Sequence, residues 1–442
     1  MIKSGRKWRN WSRIVSATPR TVLYPLHIEE VAEAVELCRK EGRTLRVLGS
    51  GHSFAAIAAS DDVFVSLDRM QGVLHVDREA CTATVWAGTK LRMLGELLHS
   101  EGLAQENLGD IDVQSIAGAI STGTHGTGLA FGNLSTQVIG LTVVTGTGEV
   151  LDVTERTHPE LFRALQVSLG SLGVIVQVTL RLRPSYKLKY ESARVPLSDC
   201  LGRLDELARE HRNFEFYWFP YAEPCQLKMM NETEDPATPD KISEYLTDVV
   251  LENVVFGALS GLCRWMPRMS APVSRLCAAA VPTGSKIEHS HRVYATKRLV
   301  RFNEMEYNLP IEAMEPVIRE MRERMAREEY RVHFPIECRF AKGDQIWLSP
   351  AYGRDSAYIA VHMYRGMPHE RYFADMERIF LRYGGRPHWG KLHSLQAAEL
   401  RKAYPMWDRF LELRAEMDPS GIFLTPYLRK LFGIEKLSGT TS

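Results

Sequence analysis

A short apolar strand that runs directly into glycines is the sequence feature that most limits how this chain can fold. Thr44 to Leu48 reads as a buried strand, and it is followed at once by Gly49-Ser50-Gly51-His52-Ser53-Phe54. Glycines after a strand let the backbone approach a ligand closely and direct N–H groups at an anion. A purely structural turn is the alternative, because Phe54 replaces the third glycine of a dinucleotide fingerprint and no P-loop sequence follows.

A second run of small residues lies between positions 118 and 128. It reads Gly118-Ala119-Ile120-Ser121-Thr122-Gly123-Thr124-His125-Gly126-Thr127-Gly128 and holds four glycines and four hydroxyl side chains. Many donors with little bulk suit a diphosphate, whereas a flexible surface loop would have the same composition. The apolar Ile116, Ala117 and Ile120 indicate that its start is buried. The stretch Gly170-Ser171-Leu172-Gly173-Val174-Ile175 by itself predicts only a turn that leads into a strand.

Two charged residues, Glu337 and Arg339, stand two apart in an apolar strand pattern. Alternate strand residues share a face, so Ile336, Cys338 and Phe340 are expected in a core with the charged pair opposite. Such a pair is either an ordinary surface salt bridge or a clamp in which Glu accepts and Arg donates hydrogen bonds to a polyol. A nearby strand presents one polar and aromatic face, made of Tyr358, Ala360, His362 and Tyr364.

A loop of Trp, His and Lys residues follows, Arg386-Pro387-His388-Trp389-Gly390-Lys391-Leu392-His393. A lysine held in such a loop can place its cation where a reaction develops negative charge. Metal binding is the rival reading for His388 and His393. They lack helical spacing and have no carboxylate near them in sequence, so no metal site is predicted.

The length of the chain and a change in its secondary-structure pattern predict more than one domain. Its 442 residues are too many for one compact core. Strands and helices alternate in the first half, and longer helices with aromatic strands begin near Ser185. We therefore expect one domain at 1–185, a second at 186–385, and a C-terminal segment at 386–442 that packs back on the first.

The net charge limits the classes of binding partner, and the cysteine content indicates the cellular compartment. With 55 basic and 54 acidic side chains the net charge is +1, so nothing favours nucleic acid as a partner. Seven cysteines, an odd number without a CxxC pair, indicate a reducing, cytoplasmic compartment. The first residues are basic but no apolar segment follows, so a signal peptide is not expected.

The longest apolar stretch, Val254 to Cys263, is too short to span a bilayer. Together with Trp265 and Met266 it could contact a membrane surface or a partner, and association with a membrane from the cytoplasmic side stays open. The preferred reading is a buried helix of the second domain.

Together the five motifs resemble the vanillyl-alcohol oxidase (PCMH-type) FAD superfamily. Within it the chain resembles the sugar-1,4-lactone and alditol oxidases, from about Trp8 to the Asp418-Pro419-Ser420-Gly421 stretch. The resemblance implies an α+β fold: a PCMH-type FAD-binding domain with two subdomains, and a cap domain whose antiparallel sheet is flanked by helices. It also implies covalent attachment of FAD through His52, which requires a neutral imidazole.

The resemblance assigns site residues as well. Glu337 and Arg339 would hold the substrate, Lys391 would lie at the flavin N1 edge, and His362 would be the active-site histidine. The residues expected around FAD are Arg46, Leu48, Gly49, Ser50, Gly51, His52, Ser53, Phe54, Ser115, Ile116, Gly118, Ala119, Ser121, Thr122, Thr124, His125, Gly173, Val174, Ile175 and His388.

Gly109 and Asp110 align with a segment that passes the flavin C4a. A small residue there lets dioxygen in, and alditol oxidases carry Ser where this chain has Asp110. The chain is therefore expected to be an FAD-dependent oxidase of a sugar-1,4-lactone, with dioxygen or another electron acceptor. An alditol oxidase, a non-catalytic flavin- or sugar-binding protein and a metal-dependent hydrolase are the alternatives.

Overall fold

The computed structural model describes residues 5–239, 254–295 and 299–435. It has the expected mixed α+β architecture, and that prediction is confirmed. In the described residues the larger sheets have three, five and eight strands. The short pairs are Trp8–Arg9 with Ser16–Ala17, and Leu103–Ala104 with Arg183–Pro184.

The three-stranded parallel sheet positions the first glycine turn. Its strands, in spatial order, are Thr21–Leu23, Val63–Ser66 and Leu45–Leu48. The helix before the last of these, Ile28–Lys40, buries Val31 and Val35 and carries acidic residues in its first turn and basic residues in its last. This charge order complements the helix dipole. Because parallel strands end at the same edge, the Gly49–Phe54 turn leaves the sheet there.

The five-stranded antiparallel sheet forms the second subdomain. Its strands, in spatial order, are Val150–Val153, Val138–Val144, Val174–Arg181, Thr82–Trp86 and Val73–Asp77. The helices beside it are Leu91–Ser100, Ile116–Ser121 and Pro159–Leu165. Ser115 precedes the short Ile116–Ser121 helix, so the beginning of the second glycine-rich run is helical and its remainder is loop.

The eight-stranded antiparallel sheet carries the charged strand pattern at its centre. Its strands, in spatial order, are Gly284–His289, Lys187–Pro196, Pro224–Thr233, Asn213–Trp218, Ile336–Ala341, Ser356–Tyr364, Phe302–Pro310 and Arg386–Pro387. Ile336, Cys338 and Phe340 join one hydrophobic core, as their alternation indicates.

Helices cover the core face of this sheet, and others follow the sheet at the C-terminal end of the chain. Those within the second region are Leu197–Gly202, Leu204–Glu210, Phe256–Trp265, Ser270–Ala280, Ser290–Val293, Met314–Glu328 and Glu370–Arg382. Those after it are Ala397–Ala403, Trp407–Met417 and Pro426–Phe432. Trp407, Phe410 and Phe432 pack in the same core as the first two sheets. The domain boundaries at 185 and 385 stay predictions.

The helix expected to be buried is largely exposed. In Phe256–Trp265 only Ser260 and Cys263 are buried, and Trp265 is 81% exposed. The preferred reading of this stretch as a buried helix was therefore wrong, because the helix packs along one narrow stripe only. In the described part of the chain, none of the helices has the length and apolar character that crossing a membrane requires.

Candidate active site

A cleft of about 920 Å³, counting its open mouth, lies between the two glycine-rich segments. The residues that line it from among those predicted are Arg46, Leu48, Gly49, Ser50, Gly51, His52, Ser53, Ser115, Gly118, Ser121, Thr122, Gly173 and Ile175. The first two motifs, which are weak when taken singly, thus form the two walls of one site.

Glycines are required here because backbone segments approach one another closely. A Cβ atom built on Gly49 or on Gly118 would lie 2.9 Å from the Ser115 hydroxyl oxygen. Gly51 has a φ of +70°, in the left-handed region that side chains disfavour. Side chains at these positions would fill the cradle, so the walls are built to admit a ligand against bare backbone.

Arg46 connects one wall of the cleft to Leu169 and Gly170, which line another part of it. Its guanidinium donates hydrogen bonds to the carbonyl oxygens of Leu169 at 2.5 Å and Gly170 at 2.8 Å. Burial lowers the pKa of Arg46 to about 10, which leaves it charged at neutral pH. Its Nε and the hydroxyl of Ser50 are buried without a hydrogen-bond partner in the described structure. Unpaired donors in a glycine cradle suit an anionic ligand such as a diphosphate.

His52 lies where the cleft meets a second cavity. Burial and, as a smaller contribution, the Lys391 charge lower the pKa of His52 to about 4. The ring is therefore neutral at neutral pH. Trp11 stacks on it, with ring centroids 5.7 Å apart and planes 23° from parallel. A fixed, neutral imidazole at this junction has the protonation state that a nucleophile needs.

The second cavity joins the other motifs. The predicted residues that line it are His52, Ser53, Asp110, Thr122, Thr124, His125, Arg339, His388 and Lys391. The amide of Phe54 donates to the carbonyl oxygen of Gly390 at 2.6 Å, so the His52 turn and the Lys391 loop are held together. Residues more than 300 positions apart in sequence thus form one wall.

Arg339 is held by carboxylates. Its Nε donates to Glu215 at 2.8 Å, its terminal nitrogen lies 3.2 Å from an Asp110 oxygen, and it pairs with Glu337. Burial alone would raise the pKa of Glu215, but the charges of Arg339 and Lys228 hold it below its ordinary value. The guanidinium orientation is therefore fixed before any substrate binds.

Lys391 is held from the opposite side by two glutamates. Its Nζ lies 2.5 Å from a Glu304 oxygen and 3.8 Å from a Glu306 oxygen. Burial opposes ionisation of both, but Lys391 lowers the pKa of Glu304, and His125 together with Lys391 lowers that of Glu306. Ion pairs with carboxylates thus hold the cations of Arg339 and Lys391 in fixed positions at the pocket.

His125, Glu306 and His388 form a buried group whose ligand atoms lie within 4.8 Å of one another. No carboxylate lies near His388 in sequence, but the Phe302–Pro310 strand brings Glu306 to it in the fold, so distance in sequence did not exclude this group. Existing hydrogen bonds occupy this group. His125 contacts the Gly126 carbonyl and Glu306 at 2.8 and 3.0 Å, and His388 Nδ1 accepts from the Gly390 amide. The Lys391 cation beside Glu306 already supplies the positive charge that a metal ion would bring.

Burial also keeps His388 neutral, since it lowers the pKa of that ring to about 3. Because Nδ1 accepts a hydrogen bond, Nε2 must carry the proton. Binding of a metal ion through Nε2 would break this arrangement. The group therefore behaves as a hydrogen-bonded support of the pocket floor.

Some predicted residues lie behind the walls of the two cavities. Phe54 packs in an aromatic cluster with Phe302 and Phe334. The side chains of Ile116, Ala119 and Val174 are buried in the core. These four side chains line neither cavity, and the assignment of these residues to the FAD site stays a prediction.

Three further predicted residues are also set back from the cavities. Glu337 pairs with Arg339 and is not among the residues that line either cavity. A Cβ on Gly109 would lie 3.0 Å from the His125 carbonyl oxygen. His362 Nδ1 donates to the Pro335 carbonyl at 2.8 Å, and its Nε2 lies 3.6 Å from Glu304.

The sequence reading missed the acidic residues that hold the two cations. Glu304 and Glu306 stand two apart on a strand, the same spacing that drew attention to Glu337 and Arg339. That signal was available and was overlooked. Glu215 had no such signal, because only the pairing of Asn213–Trp218 with Ile336–Ala341 places it beside Arg339. Gln114, Asp68, Lys90 and Gly170 line the cofactor cleft and were also missed.

The backbone cradle suits an anionic cofactor and opens onto a pocket of fixed cations and carboxylates, and this arrangement fits an FAD-dependent oxidoreductase. Residues 19–154 match the family model described as FAD binding domain, and residues 178–431 match that of D-arabinono-1,4-lactone oxidase. The second match covers more than half of the chain. The protein belongs to the D-arabinono-1,4-lactone oxidase family, which acts on CH–OH groups, and both the resemblance and the enzyme class are confirmed.

Curated relatives agree with this family. The L-gulono-1,4-lactone dehydrogenase of Mycobacterium tuberculosis is 40% identical over 96% of this chain and 99% of its own. The L-gulonolactone oxidase of Bos taurus is 33% identical over 97% of this chain and 98% of its own. Among solved structures, cholesterol oxidase from B. sterolicum shares the fold, with a TM-score of 0.82 at 17% identity, over 98% of this chain and 97% of that one.

Proposed function

We propose that the protein oxidises one CH–OH group of a neutral sugar-1,4-lactone of the L-gulono, L-galactono or D-arabinono type. Bound FAD would supply the hydride acceptor at its N5, and dioxygen would take the two electrons and become hydrogen peroxide. The coarser statement, a sugar-1,4-lactone oxidase or dehydrogenase, rests on the family. The choice of substrate and of electron acceptor rests on the residues of the pocket.

The observation that carries the proposal is the way Arg339 is held. Asp110, Glu215 and Glu337 all contact it, so its charge is largely compensated before substrate binds. A substrate carboxylate would therefore have to compete with three built-in carboxylates. Uncharged hydroxyl groups can instead donate to these oxygens and accept from the guanidinium. This environment favours a neutral polyhydroxylated substrate over an aldonate anion.

We infer that Lys391 and the glutamates that hold it act on the cofactor, as Arg339 and its carboxylates act on the substrate. Lys391 would face the part of the cofactor that gains negative charge on reduction, and Glu304 and Glu306 fix its position. His362 holds Glu304 and does not line the pocket, so we assign it a positioning role. This revises the expectation that His362 is the active-site histidine.

Covalent attachment through His52 is part of the proposal. The buried ring is neutral, it lies at the junction of the two cavities, and Trp11 restricts its orientation. A neutral imidazole can attack an electron-poor flavin methyl group. His52→Ala should therefore yield protein that binds FAD but releases it on acid precipitation, whereas the wild-type pellet stays yellow. Colour released from both proteins would contradict the link.

We propose dioxygen as the acceptor and the lactone rather than an alditol as the substrate. Gly109 is the small residue expected beside the flavin, and Asp110 stands where alditol oxidases carry Ser. The named relatives include both oxidases and a dehydrogenase, so peroxide must be measured. A cytoplasmic location is likewise proposed, supported by seven cysteines that are all free.

The test uses purified holoprotein, a panel of sugar-1,4-lactones and alditols, and peroxide detection. Peroxide should form with lactones and not with alditols. Glu337→Gln and Arg339→Ala should slow reduction of the cofactor by substrate while FAD stays bound. Peroxide from alditols alone, or reduction in either variant at the wild-type rate, would contradict the proposal.

A further inference from the structure

Three histidines meet where a helix beside the five-stranded sheet packs against the eight-stranded sheet. His99 lies near the end of the Leu91–Ser100 helix, His289 ends the Gly284–His289 strand, and His291 follows two residues later. The ring centroid of His99 lies 4.2 Å from that of His289 and 5.0 Å from that of His291, and the last two are 6.3 Å apart. These rings lie outside both cavities of the active site, so the substrate and cofactor proposals do not account for them.

The spacing of the three rings is that of imidazoles that share one metal ion. A zinc ion binds histidine nitrogen at about 2.0–2.1 Å with tetrahedral angles, which places the centroids of its imidazole rings about 5 Å apart. The three observed distances lie around this value. The ring planes are 25°, 35° and 49° from parallel in the three pairs, so the side-chain torsions have to turn to aim one nitrogen of each ring at a common point.

The histidine nitrogens are suited to binding a metal ion. Nδ1 of His289 is buried and makes no hydrogen bond in the described part of the chain. Nδ1 of His99 lies 2.8 Å from the Ser185 hydroxyl oxygen; as donor to that oxygen it makes Nε2 the metal-binding atom, the usual arrangement of a ligating histidine. Burial lowers the pKa of His289 and of His291, so both rings are neutral at neutral pH and keep a lone pair.

A carboxylate completes the set of donor atoms. Nε2 of His291, whose side chain is 7% exposed, lies 3.4 Å from an oxygen of Glu96. Two atoms bound to one tetrahedral zinc ion are about 3.3 Å apart, so this pair has the separation of two ligands. Arg292 donates to both Glu96 oxygens at 3.0 Å and orients the carboxylate, while each oxygen keeps a further lone pair. Four residues thus form what we call the junction cluster: Glu96, His99, His289 and His291.

The junction cluster differs from the group of His125, Glu306 and His388 in the pocket. There a buried lysine compensates the carboxylate, and hydrogen bonds occupy the histidine nitrogens. Glu96 is instead 48% exposed, so water screens its pair with Arg292 and an ion can enter from solvent. Of the two groups, the junction cluster is therefore the one that can accept a metal ion without loss of a buried ion pair.

We propose that the junction cluster binds one divalent transition-metal ion of the zinc type, and that this ion joins the Leu91–Ser100 helix to the eight-stranded sheet. Imidazole ligands favour Zn²⁺ over Mg²⁺ and Ca²⁺, which prefer oxygen. The two elements already pack closely, because a Cβ on Gly95 would lie 2.9 Å from the His291 Cβ. The ligands come from segments far apart in sequence, so only the folded chain assembles the site and binding stabilises the fold.

Equilibrium dialysis of untagged holoprotein against ZnCl₂, with bound zinc measured by elemental mass spectrometry, tests the site. The wild type should bind one zinc ion per chain. Zn²⁺ should raise the melting temperature by roughly 3 °C when its free concentration is about a hundred times Kd, and MgCl₂ should not. Lactone oxidation should be unchanged in the junction-cluster variants, so the test is independent of the catalytic proposal.

Substitutions within the cluster identify the ligands. His289→Gln and His99→Gln should each weaken zinc binding at least about tenfold, since even loss of a residue that supports a metal ligand costs that much. His289→Cys supplies a thiolate in place of the imidazole and should keep most of the affinity, which separates loss of a ligand from damage to the fold. His75→Gln removes an exposed histidine of the five-stranded sheet and, as the matched control, should bind zinc like the wild type.

Four results would overturn the proposal. They are a wild type that binds no zinc, equal zinc affinity in the wild type and both glutamine variants, equal stabilisation by Mg²⁺ and Zn²⁺, and a His289→Cys variant that binds no better than His289→Gln. Loss of zinc binding in His388→Gln together with full binding in His289→Gln would place the ion in the catalytic pocket and would equally overturn it.

Discussion

Replacing Arg339 by methionine removes the cation that Asp110, Glu215 and Glu337 share, at nearly constant volume. Removing one partner of a buried ion pair costs about 3–5 kcal/mol of folding free energy. Lys228, 3.8 Å from Glu215, offsets part of this, so a loss of about 3 kcal/mol is expected. Loss of the guanidinium from the substrate pocket should also lower kcat/KM by about 100- to 1000-fold.

The stability loss must depend on pH. In the wild type the pKa of Glu215 is held below its ordinary value, so its stabilising contribution is present above about pH 4.3 and is lost only as pH falls through the lowered folded value. Without Arg339, burial dominates and raises that pKa. The variant is then penalised increasingly as pH rises through the raised value. The gap in stability should therefore widen from about pH 5 to about pH 8.

Urea unfolding of holoprotein at the two pH values measures this gap. Lys228→Met is the matched control, since it removes a cation from the other side of Glu215 without touching the pocket. It should have a smaller effect on stability and little effect on kcat/KM. A gap for the Arg339 variant that is the same at both pH values would refute the reasoning, as would a fully active variant.

Three further predictions follow from single contacts. Glu304→Gln removes the carboxylate 2.5 Å from Lys391 and should raise the flavin midpoint potential on the order of 30 mV, measured by redox titration; an unchanged or lower potential would contradict it. Gly88 lines the cofactor cleft, and Gly88→Ala places a Cβ 2.0 Å from the Leu67 carbonyl oxygen; because backbone must shift, the melting temperature and the FAD affinity should fall together, and an unchanged melting temperature would contradict this. Asp110→Ser should improve turnover of alditols relative to lactones, as steady-state kinetics would show; an unchanged preference would remove Asp110 from the specificity argument.

Local patterns predicted the scaffold well. The strand predicted at Thr44 to Leu48 is observed at Leu45–Leu48, and it leads into the glycine turn as the apolar pattern and the turn residues indicate. The division of the Ile336–Ala341 strand into a core face and a site face also followed from alternation alone. These features depend on residues close in sequence, which is why the sequence suffices.

Contacts between distant strands were not predictable in this way. Glu215 reaches Arg339, and Glu306 reaches His125, only through strand pairings and domain packing that join segments more than 100 residues apart. The exposure of Trp265 was missed for a related reason. An apolar helix reads as buried unless its packing partners are known.

The most direct test of the account is anaerobic mixing of the holoprotein with L-gulono-1,4-lactone while the flavin absorbance is followed. The lactone should bleach the oxidised flavin of the wild type, the open-chain gulonate should not, and the Arg339→Met variant should bleach far more slowly. A wild-type flavin that stays oxidised with every lactone of the panel, or that gulonate bleaches equally fast, would contradict the central claim that this pocket oxidises a neutral sugar lactone.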